Sequence, residues 1–212
     1  MEIIVLLPVL FFSIVLHEFA HGYAAYRCGD DTAYMLGRLT LNPVKHIDPV
    51  GTLVVPAFCY LTGLPMFGWA KPVPISVQRL DSPRADMGKV ALAGPFANFA
   101  LAVVCVIALK FLLITASHIS ETTVKTLFHL LQYGITVNIL LAVFNLIPIP
   151  PLDGGRIAAS LLPVRAAFKY ELFFSRYGMY IILALILTGG VRYIVMPAVV
   201  FMMSLFAKFL ML

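Results

Sequence analysis

Long apolar runs separated by short polar stretches dominate this chain. About 20 consecutive apolar residues are needed for a helix to cross a bilayer. Four regions reach or approach that length: residues 3–26, 90–109, 126–147 and 177–212. Gly189, Gly190 and Arg192 interrupt the last region, which is therefore read as two spans, near 177–191 and 193–212. Between the first two spans lies a shorter apolar stretch, residues 51–67, broken by Pro56, Gly63 and Pro65. It is too interrupted to span. Non-helical backbone at membrane depth must be packed in protein or line a cavity, so a re-entrant or interfacial hairpin is expected, with an exposed edge on which an unwound peptide could dock as an added strand. The expectation is an all-α polytopic membrane protein of 4–6 segments, forming a single integral-membrane domain over residues 1–212.

Composition sharpens this picture. Hydrophobic residues make up 61% of the 212 and charged residues 12%, with a mean hydropathy of +0.97. A soluble domain is about 25% charged, so lipid is the solvent for much of this surface. The net charge of +5 comes without basic runs or aromatic–basic interleaving, which excludes a nucleic-acid module. Cys28, Cys59 and Cys105 stand apart, with no paired spacing. The first sixteen residues carry Glu2, no positive charge and no small-residue cleavage site, so they read as a retained helix and not a leader.

The basic residues set a topology. Arg27, Arg38, Lys45, Lys71, Arg79, Arg84 and Lys89 follow the first span, and Arg156, Arg165, Lys169 and Arg176 follow the third. The loop between the second and third spans is poor in Lys and Arg. The positive-inside bias then places both basic segments in the cytoplasm.

At the end of the first span the chain reads His17-Glu18-Phe19-Ala20-His21. On a helix, positions i and i+4 share a face, so both imidazoles can reach one ion while the intervening glutamate reaches a water. Ionisable residues within a span are costly and mark function. A catalytic zinc site takes a third protein ligand. After the third span, Pro148, Pro150 and Pro151 stop the helix and Asp153-Gly154-Gly155 follows on the same side, making Asp153 the candidate. Asn98, one turn after Gly94 and Pro95 in the second span, reads either as a polar helix–helix contact or as a catalytic group. Asn138 and Asn145 favour the structural reading. His46 and Asp48 are read as turn and surface residues.

The ordered motifs HEFAHGYAAYRCGD, LGRLTLNPVKHIDPVGTLVVP, FGWAKPVPI, GPFANF and NLIPIPPLDGGRI, covering residues 13–157, resemble the site-2 protease family. The resemblance implies an intramembrane zinc metallopeptidase in minimal form, without PDZ-type or cystathionine-synthase-type domains. It implies one Zn2+ held by His17, His21 and Asp153, catalysis by Glu18, and Asn98 near the active site contacting substrate or oxyanion. The implied partners are the lipid bilayer and single-span or other membrane-protein substrates. The implied location is a prokaryotic inner membrane, with the site towards the cytoplasm. A zinc-binding transporter or sensor, or a silent homologue, is the competing expectation.

Overall fold

The computed structural model describes residues 3–63 and 68–211. Five helices in it are long and apolar enough to cross a membrane. They are α1 (Ile3–Arg27), α4 (Pro83–Thr115), α5 (Glu121–Asn145), α7 (Val164–Leu187) and α8 (Gly190–Met211). Three short helices stand between them: α2 (Thr32–Met35), α3 (Val55–Thr62) and α6 (Asp153–Leu161). The chain is an all-helical integral membrane protein, and no strand occurs among the described residues.

Helix α4 is the central post. It packs against α1 and α5 along its length, carries α6 near its start, and meets α8. Ala102, Val106 and Leu109 of α4, Ile135 and Ile139 of α5, and Val195 and Val199 of α8 form the main apolar cluster. The opposite faces turn outward, with Phe96, Phe111 and Ile114 of α4 exposed. That pattern fits helices whose outer faces meet lipid tails.

Helix boundaries differ from the apolar runs where helices continue past their apolar part. Helix α4 begins at Pro83, in a first turn holding Arg84 and Asp86, and not near residue 90. Helix α7 begins at Val164 and carries Arg165, Lys169 and Arg176, residues that composition assigns to a loop. Pro83 is well placed at the start of α4: it closes no helical hydrogen bond in the first turn, and its φ suits a helix. Between α7 and α8 the chain reverses at Gly189, whose φ of +72° favours glycine.

The stretch read as a hairpin with a strand-like edge is helical where it is described. A π-helical turn over Pro49–Val54 runs into α3, and Gly63 closes α3 in the left-handed conformation. Asp48 accepts the first N–H groups, those of Val50 and Gly51, at 2.9 and 2.8 Å. Pro56 lies in the first turn of α3, where it breaks nothing. Strand addition to this segment is thereby withdrawn for residues 51–63. Residues 64–67 lie outside the described residues.

Candidate metal centre

The polar positions of α1 build the site. Ser13, His17 and His21 recur every four residues on one face of a largely apolar helix, and all three are buried. That face meets α4 at Gly94. A Cβ there would lie 2.6 Å from Nε2 of His17, so only glycine lets α4 approach so closely. Asp153 comes from the first turn of α6. A Cβ on Gly154 would sit 2.5 Å from the Ile147 carbonyl oxygen, and one on Gly155 would meet the ring of Pro150. The two glycines thus fold α6 back onto the preceding turn and bring the carboxylate to the histidines.

The three side chains converge tightly. The two Nε2 atoms are 3.0 Å apart, and Asp153 Oδ2 lies 3.1 Å from that of His17 and 3.2 Å from that of His21. His17, His21 and Asp153 form a group able to offer one ligand atom each to a single ion. The Asp153 carboxyl, beside the two imidazoles, is held below the usual carboxylate range and is a carboxylate at neutral pH.

Tautomers test whether a cation fits. His17 Nδ1 lies 2.6 Å from Asn98 Oδ1, and His21 Nδ1 lies 2.7 Å from the Val90 carbonyl oxygen. Both partners only accept, so each neutral imidazole carries its proton on Nδ1. Both Nε2 lone pairs then point towards each other and towards a carboxylate oxygen buried without a donor of its own. Three converging acceptors repel unless a positive charge lies among them. A soft-to-borderline divalent ion suits two imidazoles and a carboxylate.

The amide orientation of Asn98 is equally constrained. Its Nδ2 donates to the Ser13 carbonyl at 3.1 Å and to Asn138 Oδ1 at 2.8 Å. Asn138 in turn donates to Ser13 Oγ and to the Gly134 carbonyl, at 2.9 and 2.8 Å. Ser13 donates its hydroxyl to Val9 O at 2.8 Å. Every member donates one way along this buried chain, which runs from His17 Nδ1 through Asn98, Asn138 and Ser13 to the Val9 carbonyl. Both N–H groups of Asn98 are therefore engaged within the bundle.

Glu18 leaves the helix on a different side. Its Oε2 accepts the backbone N–H of Val73 at 2.9 Å. Val73 lies in an extended strap between Pro72 and Pro74, which have no N–H, so it brings the lone donor of that tripeptide. The strap is fastened along its length. The Lys71 N–H bonds His46 O at 2.9 Å, and Arg38 Nη2 bonds the Lys71 and Pro72 carbonyls at 3.0 and 3.3 Å. At the far end, Asp30 Oδ2 accepts the Ser76 N–H at 2.6 Å. Gly22 makes room for it: a Cβ there would meet Val73 Cγ1 at 2.9 Å.

His46 is not on the surface as composition predicts. It is fully buried, with Nε2 bonded to Thr40 O at 2.9 Å. Neither His46 nor Asp48 belongs to the cluster, and neither do His118 and His129. Ser13, Val90 and Val73 are functional-site neighbours that motif reasoning misses. The four-residue polar period of α1 and the proline–valine–proline pattern are the signals that could have found Ser13 and Val73; the Val90 carbonyl leaves none in a sequence.

Comparison with known proteins agrees with this architecture. The model of Peptidase family M50, the site-2 protease family, matches residues 5–189. A Bacillus subtilis protein named "Putative zinc metalloprotease YwhC" is 37% identical over 89% of this chain and 82% of its own length. The Mycobacterium tuberculosis protein named "Putative zinc metalloprotease Rip2" is 34% identical over 67% of this chain, and the match covers 51% of that relative. "Zinc metalloprotease MJ0392" of Methanocaldococcus jannaschii is 24% identical over 97% of the chain and 48% of its own length. No solved structure gave a significant match. This chain belongs to Peptidase family M50.

Proposed function

We propose that the chain is an intramembrane zinc endopeptidase, cutting peptide bonds in or near transmembrane segments of other membrane proteins. The observation that carries this reading is the convergence of two Nε2 lone pairs and a buried carboxylate within hydrogen-bond distance of one another, with Glu18 on the intervening residue. In this reading His17, His21 and Asp153 hold the ion. When bound, zinc supplies Lewis acidity and makes water a competent nucleophile near neutral pH. Glu18 takes a proton from the attacking water and delivers it to the departing amine. The Val73 N–H steadies one carboxylate oxygen for that task. Asn98 is a positioning residue that fixes the tautomer and ring angle of His17, as outer partners of ligating histidines generally do.

The location supports the same reading. Both histidines lie in the last three turns of α1, and Asp153 opens α6 at the same end of the bundle as Arg27, Arg84 and Lys89. By the positive-inside bias that end is cytoplasmic, and the bilayer is a prokaryotic inner membrane. Substrates are single-span or other membrane proteins whose helix unwinds locally to expose a carbonyl.

The test uses the full chain in liposomes with a model single-span substrate, and zinc is measured in wild type and Glu18→Gln. The expected outcome is cleavage by wild type alone, with equal zinc in both. Zinc loss in Glu18→Gln would break its assignment as a base. Zinc in both without cleavage would shift weight to a transporter or a silent homologue, and a zinc-flux assay would separate those.

A further inference from the structure

We propose that a groove at the basic end of the bundle binds the headgroup of an anionic glycerophospholipid, such as phosphatidylglycerol. This site is separate from the metal cluster and independent of the protease reading. The groove, of about 480 Å³, lies between the starts of α4 and α7 and the outer face of α6. Arg84 and Arg156 line it together with Met87, Val164, Phe168 and, towards the far end, Glu171.

Three observations select the ligand. Among the described residues Arg84 is anchored by one nitrogen: Nη2 donates to Ala159 O at 3.3 Å, which holds the guanidinium at the groove with further donors to spare. Arg156 makes no hydrogen bond or ion pair among the described residues, and it is exposed. Guanidinium groups match phosphate oxygens in geometry and charge.

The second observation is depth. Arg84 and Arg165 each stand in the first turn of a span, ahead of its apolar part, so the groove opens on the headgroup side of the apolar runs. Free phosphate needs no such placement; a lipid phosphate does. Basic pockets between transmembrane helices at this level are suited to anionic headgroups.

The third is the wall. Val164, Phe168 and Leu172 follow one another at four-residue spacing on α7 and are 72%, 67% and 64% exposed. This apolar stripe runs from the arginines towards the membrane interior, as an acyl chain would. Arg165 and Lys169, exposed on the same helix, add to the positive field.

Occupancy has a structural consequence. Arg156 lies one turn after Asp153 on α6, and Arg84 lies on α4, so a shared phosphate would tie α6 to α4 across the contact that Gly88 and Ser160 make.

The experiment is retention of lipid by the purified full chain in native mass spectrometry, paired with thermal unfolding, in phosphatidylglycerol, phosphatidylcholine or inorganic phosphate. Phosphatidylglycerol should be retained over phosphatidylcholine and should raise the unfolding temperature more. Each of Arg84→Gln and Arg156→Gln should cut that preference about fivefold. Glu171→Gln, which removes the groove's one anion and needs no loss of stability to read, should strengthen it. Equal retention of the two lipids, or arginine variants that keep the preference, would overturn the site. Protection by inorganic phosphate equal to that by the lipid would overturn the lipid assignment.

Discussion

The two halves of the candidate centre are built differently. The ligand half is helical and closed: His17 on α1 is held by a chain of one-way hydrogen bonds through Asn98, Asn138 and Ser13, and His21 by the Val90 carbonyl, all buried between three spans. The base half is a helix residue steered by a loop: Glu18 meets the strap through the Val73 N–H. On the proposed roles, this difference makes metal geometry and base orientation separable. Damage to the buried chain should disturb the metal, whereas damage to the strap should disturb turnover alone.

The largest effect should come from Gly94→Ala. Its methyl group would enter the space of both imidazole rings, and zinc content should fall by at least tenfold, measured by atomic absorption on purified protein. Asn98→Ala should come next. It removes the partner of His17 Nδ1 and orphans Asn138 Oδ1, and loss of such an outer partner typically costs 10–100-fold in metal affinity. An orphaned buried group adds about 1–3 kcal/mol of destabilisation, to be read by thermal unfolding. Zinc affinity unchanged in Asn98→Ala would dissolve the distinction between the halves.

Val73→Pro sharpens the other side. It deletes the N–H to Glu18, and cleavage should fall about tenfold while zinc content stays at the wild-type value. Val73→Ala keeps the donor and should retain most activity. A loss of zinc in Val73→Pro would show that the strap and the ligands form one unit.

The smallest effect concerns the strap's anchor. Burial pushes the Asp30 carboxyl up, but bonds from the Thr32 hydroxyl and the Ser76 and Thr32 N–H groups, with the charge of Arg79, hold it below its usual range. A carboxyl with a lowered folded value stabilises above its unfolded value, about 4, and loses that contribution as pH falls through the lowered one. Hydrogen exchange across residues 71–76 should be slower in wild type than in Asp30→Asn at neutral pH. The two should converge in acid.

Much of this was legible in residue order. Paired histidines at helical spacing, a lone aspartate after a proline-rich helix stop, and long apolar runs specify chemistry and membrane class through local rules. Other features depend on contacts distant in sequence. Asn98 looks alike as a helix–helix contact or a catalytic group, and its bonds to Ser13, Asn138 and His17 are visible only in the structure. His46, next to a charged and proline-marked loop, gave no sign of burial. The early starts of α4 and α7 were hidden because charged first turns lower the hydropathy that marks a span. The helical state of residues 51–63 was missed because a proline in a first turn punctuates a sequence without breaking a helix.

The position of Asp153 has one more implication. An ion shared by His17, His21 and Asp153 would act as a clip, joining points far apart along the chain. Closing so long a loop removes freedom from partly unfolded states, and any ligand that binds only the folded form stabilises it by mass action. A chelator would therefore loosen the grip between the first span and everything up to α6, so that the same ion serving chemistry also serves as the bundle's buckle.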